Sequence, residues 1–131
     1  MGLHGAISVI NAIYAKVSSR ARKQIEKSVG DDKLTHLEAF YQSIMVSLFE
    51  STGVSVIGEK ENAGGRGDVV VKYNGLVYVI ELKVDKSSNE ALEHIKEKGY
   101  HESYKGKEVY LIGINISSAT GTISDWVYEK L

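Results

Sequence analysis

The sequence contains neither cysteine nor proline. Without cysteine, disulfides and thiolate metal sites are excluded, so a bound metal ion would need oxygen or imidazole ligands. Without proline, no rigid break indicates a boundary between two domains. A run of about 18 apolar residues, the length that spans a bilayer, is also missing, and the N-terminus lacks the basic start of a signal peptide. These absences predict a cytoplasmic protein without a membrane segment.

Strong net charge is missing as well, since 16 Lys and Arg residues are balanced by 17 Asp and Glu residues. Nucleic-acid-binding proteins are usually basic, so the overall composition does not indicate that partner. The charge is unevenly distributed, however, because six basic residues and only three acids lie between positions 16 and 33. That stretch could contact phosphate groups or could form an ordinary solvated helix face.

Apolar periodicity predicts two helices at the N-terminal end of the chain. From Leu3 to Ile25 the apolar residues recur at alternating steps of four and three, which is a heptad-like seam on one long helix. The seam could pack within its own domain, against a missing neighbour, or against a second copy in a homodimer. A second, amphipathic helix is predicted from about Leu34 to Thr52, ending at Gly53. We therefore expect a helical extension over 1–33 and one globular unit over 34–131.

The rest of the chain has the pattern of a sheet interrupted by one helix. A nearly continuous apolar strand near the end is typical of a central, buried position, and the last strand is expected at an edge. The predicted segments are strands Val54–Lys60, Asp68–Tyr73 and Leu76–Val84, a helix Ser88–Lys98, and strands Val109–Ile116 and Thr122–Tyr128. This order predicts an α/β fold with a mixed sheet and helices on its faces.

The dipeptide Asn74-Gly75 predicts a two-residue type I′ hairpin turn, and that turn fixes the register of the two strands beside it. With Tyr73 opposite Leu76, the ladder places Asp68 opposite Glu81, with Cβ atoms about 4.5–5.5 Å apart. Lys83 follows Glu81 by two residues, so it shares that face about 6–7 Å further along.

Two opposed carboxylates repel each other and destabilise a sheet unless a cation lies between them. A hard divalent ion coordinated by Asp68 and Glu81 would remove that cost and leave room for a phosphate oxygen and water. The ammonium group of Lys83 would then orient the water or stabilise charge on the phosphate. The alternative is a solvent-facing strand in which Glu81 and Lys83 are ordinary neighbours.

Residues 38–126 resemble the PD-(D/E)XK nuclease superfamily, which has a restriction-endonuclease-like α-β-β-β-α-β core. The matching motifs are Gly67-Asp68, without the usual preceding proline, and Glu81-Leu82-Lys83. Segments 78–86, 91–100 and 110–115 resemble more narrowly the nuclease domain at the C-terminal end of AAA-ATPase-like proteins. The resemblance implies a Mg²⁺-dependent nuclease. We expect Mg²⁺ or Mn²⁺ as the cofactor and DNA rather than RNA as the substrate, and the related domain normally follows an ATPase-like neighbour. It assigns metal binding to Asp68 and Glu81 and catalysis to Lys83.

Five further residues are candidates for the site. Glu38 matches the helix-borne acid of the superfamily and would help to hold the metal, although Thr35 and Glu38 also form a capping box. Gln42 lies one turn later on the same helix face. Arg66, between Gly65 and Gly67, could contact phosphate or belong to a flexible turn.

His94 departs from the pattern, because the branch that the chain resembles carries glutamine there. Together with the later Tyr100, it is expected to touch substrate or Lys83; a plain surface histidine is the alternative. The substitution and the balanced charge also favour a rival interpretation, a catalytically silent nucleic-acid-binding or assembly module of the same fold. The intact Asp68, Glu81 and Lys83 argue against that rival.

Overall fold

The computed structural model describes residues 2–17, 19–29, 33–58, 69–99, 104 and 106–131. The helices are α1 (Leu3–Tyr14), α2 (Ser19–Val29), α3 (Lys33–Ser51) and α4 (Ser88–Lys98). The strands are β1 (Ser55–Gly58), β2 (Val69–Tyr73), β3 (Leu76–Val84), β4 (Glu108–Ser117) and β5 (Thr122–Lys130). They form one sheet in the order β1-β2-β3-β4-β5, in which β3 and β4 are parallel and the other pairs antiparallel. The predicted α/β class with a mixed sheet is confirmed.

The hairpin between β2 and β3 has the predicted turn and register. Asn74 and Gly75 have φ values of 52° and 77°, as a type I′ turn requires. Tyr73 pairs with Leu76, and the ladder continues unbroken to the pair of Val69 with Ile80. The local turn chemistry was therefore sufficient to predict how the two strands align.

Helix α4 also has the predicted bounds, because the signals at both of its ends are local. The hydroxyl oxygen of Ser87 accepts a hydrogen bond from the Glu90 N–H at 3.1 Å, which caps the start of the helix. At the other end Gly99 adopts a left-handed conformation with φ 71°, and its N–H donates to the Ile95 carbonyl.

Helices cover both faces of the sheet, and the alternation along β3 assigns its side chains to one face or the other. Helix α4 covers the face that carries Val77 and Val79, and α1 and α3 cover the opposite face. The α4 core consists of Val70, Val77, Val79, Leu92, Ile95, Val109 and Leu111. The larger core on the other face includes Ile7, Ile10, Tyr14, Leu37, Tyr41, Met45, Ile80, Leu82, Val84, Ile112, Ile114 and Ile116.

The prediction of one long N-terminal helix is wrong, because the chain turns after Tyr14 and a separate helix starts at Ser19. The turn is held by hydrogen bonds from the Lys16 and Val17 N–H groups to the Ile13 and Tyr14 carbonyls, both 3.0 Å. Ile7, Ile10 and Tyr14 are buried in the same core as the sheet. The first half of the seam therefore packs within the chain, and pairing of two copies along it would compete with that packing.

Helix α3 ends as predicted, with Gly53 at φ 83° just beyond it. The hydroxyl group of Tyr14 donates to the Tyr41 carbonyl of this helix at 2.8 Å, and burial raises the pKa of Tyr14 well above its usual range. None of the described helices is long and apolar enough to cross a membrane.

Candidate active site

The site is built around the carboxylate of Glu81, which lies on β3 and faces α4. Glu81 is only 4% exposed, and a buried carboxylate is costly unless positive charge and hydrogen bonds compensate it. The ammonium group of Lys98 bonds to Oε1. Oε2 lies 2.5 Å from Nδ1 of His94 and 3.9 Å from Nζ of Lys83. Two ammonium groups and an imidazole therefore surround one carboxylate.

Helix α4 supplies two of these groups because His94 and Lys98 are four residues apart, which places them on one helix face. The helix can approach closely because Gly113 of β4 lies beside Glu81. A Cβ atom on Gly113 would lie 2.3 Å from the Ser88 carbonyl oxygen and 2.8 Å from the Leu92 nitrogen. Because the neighbouring strand has a glycine here, α4 can pack close enough for its side chains to contact Glu81.

Lys83 shares the face of Glu81, as the strand alternation predicted, and its side chain is 11% exposed. It lies at one side of an open depression of about 440 Å³, whose lining also includes Lys86, His94 and Glu97. A group outside the protein can therefore reach the ammonium of Lys83 although most of its side chain is covered.

Glu38 reaches the same strand from the opposite layer. It is 2% exposed, and its Oε2 accepts a hydrogen bond from the Val84 N–H at 3.0 Å. Since Val84 directly follows Lys83, Glu38 holds the end of β3 in place next to the candidate lysine. Its carboxylate thus bonds to β3, a contact that the capping-box alternative did not include. Gln42, one helical turn later on α3, is half-buried.

Three predicted site residues, Asp68, Arg66 and Tyr100, lie outside the described residues. Within the part of the chain that the structure describes, no group of three or more His, Asp and Glu side chains could hold a metal ion. Glu81 and His94 nevertheless provide an oxygen and a nitrogen donor side by side. The carboxylate oxygens of Glu81 suit Mg²⁺ or Mn²⁺, whereas the imidazole of His94 is better suited to orienting that carboxylate by a hydrogen bond.

A polar network connects the end of β3 to the start of α4. Asn115, which pairs with Lys83 across β3 and β4, accepts a hydrogen bond from the Lys86 N–H at 2.9 Å and donates to Ser124 at 2.9 Å. Asp125 accepts hydrogen bonds from the N–H and the hydroxyl group of Ser88. The network fixes the short connection along which β3 passes into α4.

The pKa of Asp125 reflects this network. Burial alone would raise it, but hydrogen bonds from Ser88, Ser124 and Asn115 outweigh burial and lower the pKa of Asp125 below its ordinary value. The carboxylate that holds the start of α4 is thus stabilised in its charged form.

Sequence reasoning missed Lys98, Asn115 and Asp125. The signal for Lys98 was its spacing of four residues from His94, and the signal for Asn115 was an amide within an otherwise apolar strand. Asp125 carried no comparable signal, because its partner Ser88 lies 37 positions away in the chain.

Comparison with known proteins gives two findings. A family model described as the PD-(D/E)XK nuclease superfamily matches residues 36–126. The chain is also 31% identical over 105 residues to a protein of Azotobacter chroococcum mcd 1 named "Uncharacterized protein in vnfD 5′region". That alignment covers 77% of this chain and 20% of the relative, so the chain spans about a fifth of the relative's length. No solved structure matches the chain significantly.

Proposed function

We propose that the chain, which belongs to the PD-(D/E)XK nuclease superfamily, hydrolyses phosphodiester bonds in nucleic acid, in DNA rather than RNA, with the help of a divalent metal ion. The observation that carries this proposal is the arrangement on one face of β3. A buried carboxylate, Glu81, has the ammonium group of Lys83 3.9 Å away and an open depression beside it.

Asp68 and Glu81 would hold Mg²⁺ or Mn²⁺, with Glu38 supporting the site through its hydrogen bond to the end of β3. The register of β2 and β3 supports the pairing of the two acids, since Val69 lies opposite Ile80 and Asp68 and Glu81 are the next residues. When bound, the ion supplies Lewis-acid polarisation of a phosphate oxygen and neutralises charge.

Lys83 has the role of the catalytic lysine in this proposal. Its ammonium group, open to the depression, would orient the attacking water by a hydrogen bond and stabilise the negative charge that grows on the phosphate oxygens. The nearby carboxylate of Glu81 directs the Nζ atom of Lys83. His94, Tyr100, Arg66 and Gln42 are proposed to contact substrate around this centre.

A second candidate function is a nucleic-acid-binding or assembly module that does not cut. One observation favours it: the protein itself places two positive charges, those of Lys98 and Lys83, beside the carboxylate of Glu81. In either case we propose a cytoplasmic setting, which a cysteine-free chain suits. The greater length of the relative leaves room for the proposed ATPase-like neighbour, and a homodimer is proposed as an alternative arrangement.

The test is cleavage of end-labelled single- and double-stranded DNA and RNA in the presence of Mg²⁺, Mn²⁺ or EDTA. We expect cleavage of DNA with either metal and none with EDTA. Asp68→Asn and Glu81→Gln should each lower the rate by at least about 100-fold, the scale expected for the loss of one transition-state-stabilising group.

The matched control is Glu108→Gln, which removes an exposed carboxylate at the opposite end of β4 and should cut like the wild-type protein. Binding without cleavage under every metal condition would favour the silent module. Cleavage that persists in both site variants would contradict the proposed site.

A further inference from the structure

Helix α2 carries a positively charged surface outside the candidate site, and this helix precedes the residues matched by the family model. Its basic face consists of Arg20, Lys23 and Lys27, which are three and four positions apart and therefore lie on one side of the helix. All three side chains are exposed. With Gln24 they line a shallow depression of about 330 Å³. At 1.5 Å per residue, the basic face is about 10 Å long.

Among the side chains that the structure describes, no carboxylate forms an ion pair with this basic face. The ion pairs there involve Lys83, His94, Lys96 and Lys98 instead. Like charges three or four positions apart on a helix repel each other by a few tenths of a kcal/mol. A polyanion bound along the basic face would attract all three charges and so offset their mutual repulsion.

The fourth cation of the helix attaches α2 to the sheet. Nη1 of Arg22 donates to the Ser118 carbonyl in the turn between β4 and β5 at 2.8 Å. The guanidinium lies directly over Gly121, where a Cβ atom would come within 2.6 Å of Nε. The helix thus uses one cation for anchoring and presents three others to solvent.

This anchor places α2 at the end of the sheet that carries Lys83. The N–H of Ser118 donates to Asp85 at 2.8 Å, and Asp85 follows Lys83 by two residues, directly after β3. A single chain of contacts therefore runs from Arg22 through Ser118 and Asp85 to the strand of the candidate site. A long ligand that occupies the site can extend past this end of the sheet.

We propose that the basic face of α2 binds the sugar–phosphate backbone of the nucleic acid whose scissile phosphate lies at Lys83, an inference that rests on the proposed function. Three charges over about 10 Å match about three phosphates of one strand at 3.4 Å of rise each. Contacts to phosphates carry no sequence information. The basic face therefore supplies affinity and orientation, whatever the base sequence.

The test is binding of fluorescein-labelled duplex DNA, measured by anisotropy in EDTA between about 50 and 200 mM salt. The variant carries Arg20→Gln, Lys23→Gln and Lys27→Gln, since glutamine keeps the helix propensity while it removes the charge. We expect weaker binding at each salt concentration. The slope of log affinity against log salt should become shallower by about 2.7, which is 0.9 for each lost phosphate contact.

Two controls distinguish an effect of the basic face on binding from an effect of net charge and from an effect on folding. Lys72→Gln, Lys107→Gln and Lys130→Gln together make the same charge change at the opposite end of the sheet, and this variant should keep the wild-type slope. A charge-preserving variant, Arg20→Lys with Lys23→Arg and Lys27→Arg, should bind like the wild-type protein.

Three results would each overturn the inference. The glutamine variant could keep the wild-type slope, or the variant of Lys72, Lys107 and Lys130 could lose as much affinity as the glutamine variant. The third is a loss of affinity in the charge-preserving variant. Because binding is measured without metal, the result is independent of cleavage. A protein that cuts DNA but binds it equally well without the basic face keeps the proposed function and loses this inference. If the glutamine variant binds DNA more weakly but the wild-type protein never cuts, the basic face keeps its role in binding and the proposed nuclease function is lost.

Discussion

Gly113 of β4 lies beside Glu81 of β3 in the parallel strand pair, and backbone atoms of α4 lie 2.3 and 2.8 Å from the position that its Cβ atom would take. The backbone of α4 occupies the space that any larger residue would need there. As a result, His94 reaches within 2.5 Å of Glu81. The surroundings of the buried carboxylate thus depend on the absence of a side chain in the adjacent strand.

Gly113→Ala should therefore damage both stability and the site. The added methyl group would meet backbone atoms of α4 at 2.3 and 2.8 Å, so the helix must move away from the sheet. Overpacking of this kind costs about 1–3 kcal/mol. Urea denaturation should show this loss in the free energy of unfolding, together with slower DNA cleavage. An alanine variant with wild-type stability and activity would show that α4 does not need the close approach.

His94→Ala should lower the affinity for Mn²⁺ and the cleavage rate by roughly 10–100-fold, as is usual when a group that orients a metal ligand is removed. His94→Gln should retain most of both, because its amide can donate to the same oxygen of Glu81. Isothermal titration with Mn²⁺ and a cleavage assay check the two effects. His4→Ala, on α1, is the matched control. If His94→Ala equals the wild-type protein in both assays, His94 has no positioning role.

Lys98→Met should destabilise the metal-free protein but increase its affinity for Mn²⁺. The variant leaves the buried Glu81 without one of its partners, and breaking a buried pair costs about 3–5 kcal/mol. It also removes a cation that repels an incoming metal ion, so the affinity should rise by about tenfold, or about 1.4 kcal/mol. Thermal melting with and without Mn²⁺ should show a lower melting temperature and a larger shift on metal addition.

Lys96→Met is the matched control for Lys98→Met, because Lys96 lies on the same helix but pairs with the more exposed Glu93 and Glu129. Exposed pairs contribute only about 0–1 kcal/mol. Weaker Mn²⁺ binding by Lys98→Met would contradict the account and would indicate that Lys98 supports the metal-bound form.

Asp125 should make folding sensitive to acid. Its pKa in the folded protein is lower than its ordinary value of 3.8, so the stability that it contributes is complete above that value. This contribution is lost as the pH falls through the lower, folded-state pKa. Because Asp125 is exposed and partly screened, the effect should be about 1 kcal/mol.

Asp125→Asn should show a correspondingly smaller loss of unfolding free energy between about pH 5 and pH 2 than the wild-type protein. Urea titrations at a series of pH values measure this difference. Glu129→Gln, on the same strand, is the control and should retain the wild-type acid dependence. Parallel curves for Asp125→Asn and the wild-type protein would contradict the proposed cause.

The features predictable from sequence are those set by short stretches of chain. Asn74-Gly75 determined the hairpin register, Ser87 and Gly99 determined the ends of α4, and Gly53 determined the end of α3. The break after Tyr14 was missed because it accompanies a bond to Tyr41, 27 positions away. Heptad-like spacing alone does not distinguish one long helix from two helices that each bury a part of the seam.

The candidate site divides in the same way. The shared face of Glu81 and Lys83 follows from strand alternation within three residues, so the sequence predicted it. Lys98 and Asn115 reach the site only through the packing of α4 on the sheet and the pairing of β3 with β4, which no local pattern specifies. The roles of Asp68, Arg66 and Tyr100 stay predictions, and Asp68→Asn in the cleavage assay tests the first of them.

The most direct test of the central claim is single-turnover cleavage of duplex DNA by Lys83→Met, with Mn²⁺ binding measured on the same preparation. We expect the variant to bind Mn²⁺ at least as well as the wild-type protein but to cut about 10²–10³-fold more slowly, the range typical for the loss of one group that stabilises charge in the transition state. Lys86→Met, on the lining of the same depression, should keep a rate close to that of the wild-type protein. Cleavage by Lys83→Met at the wild-type rate would contradict the account.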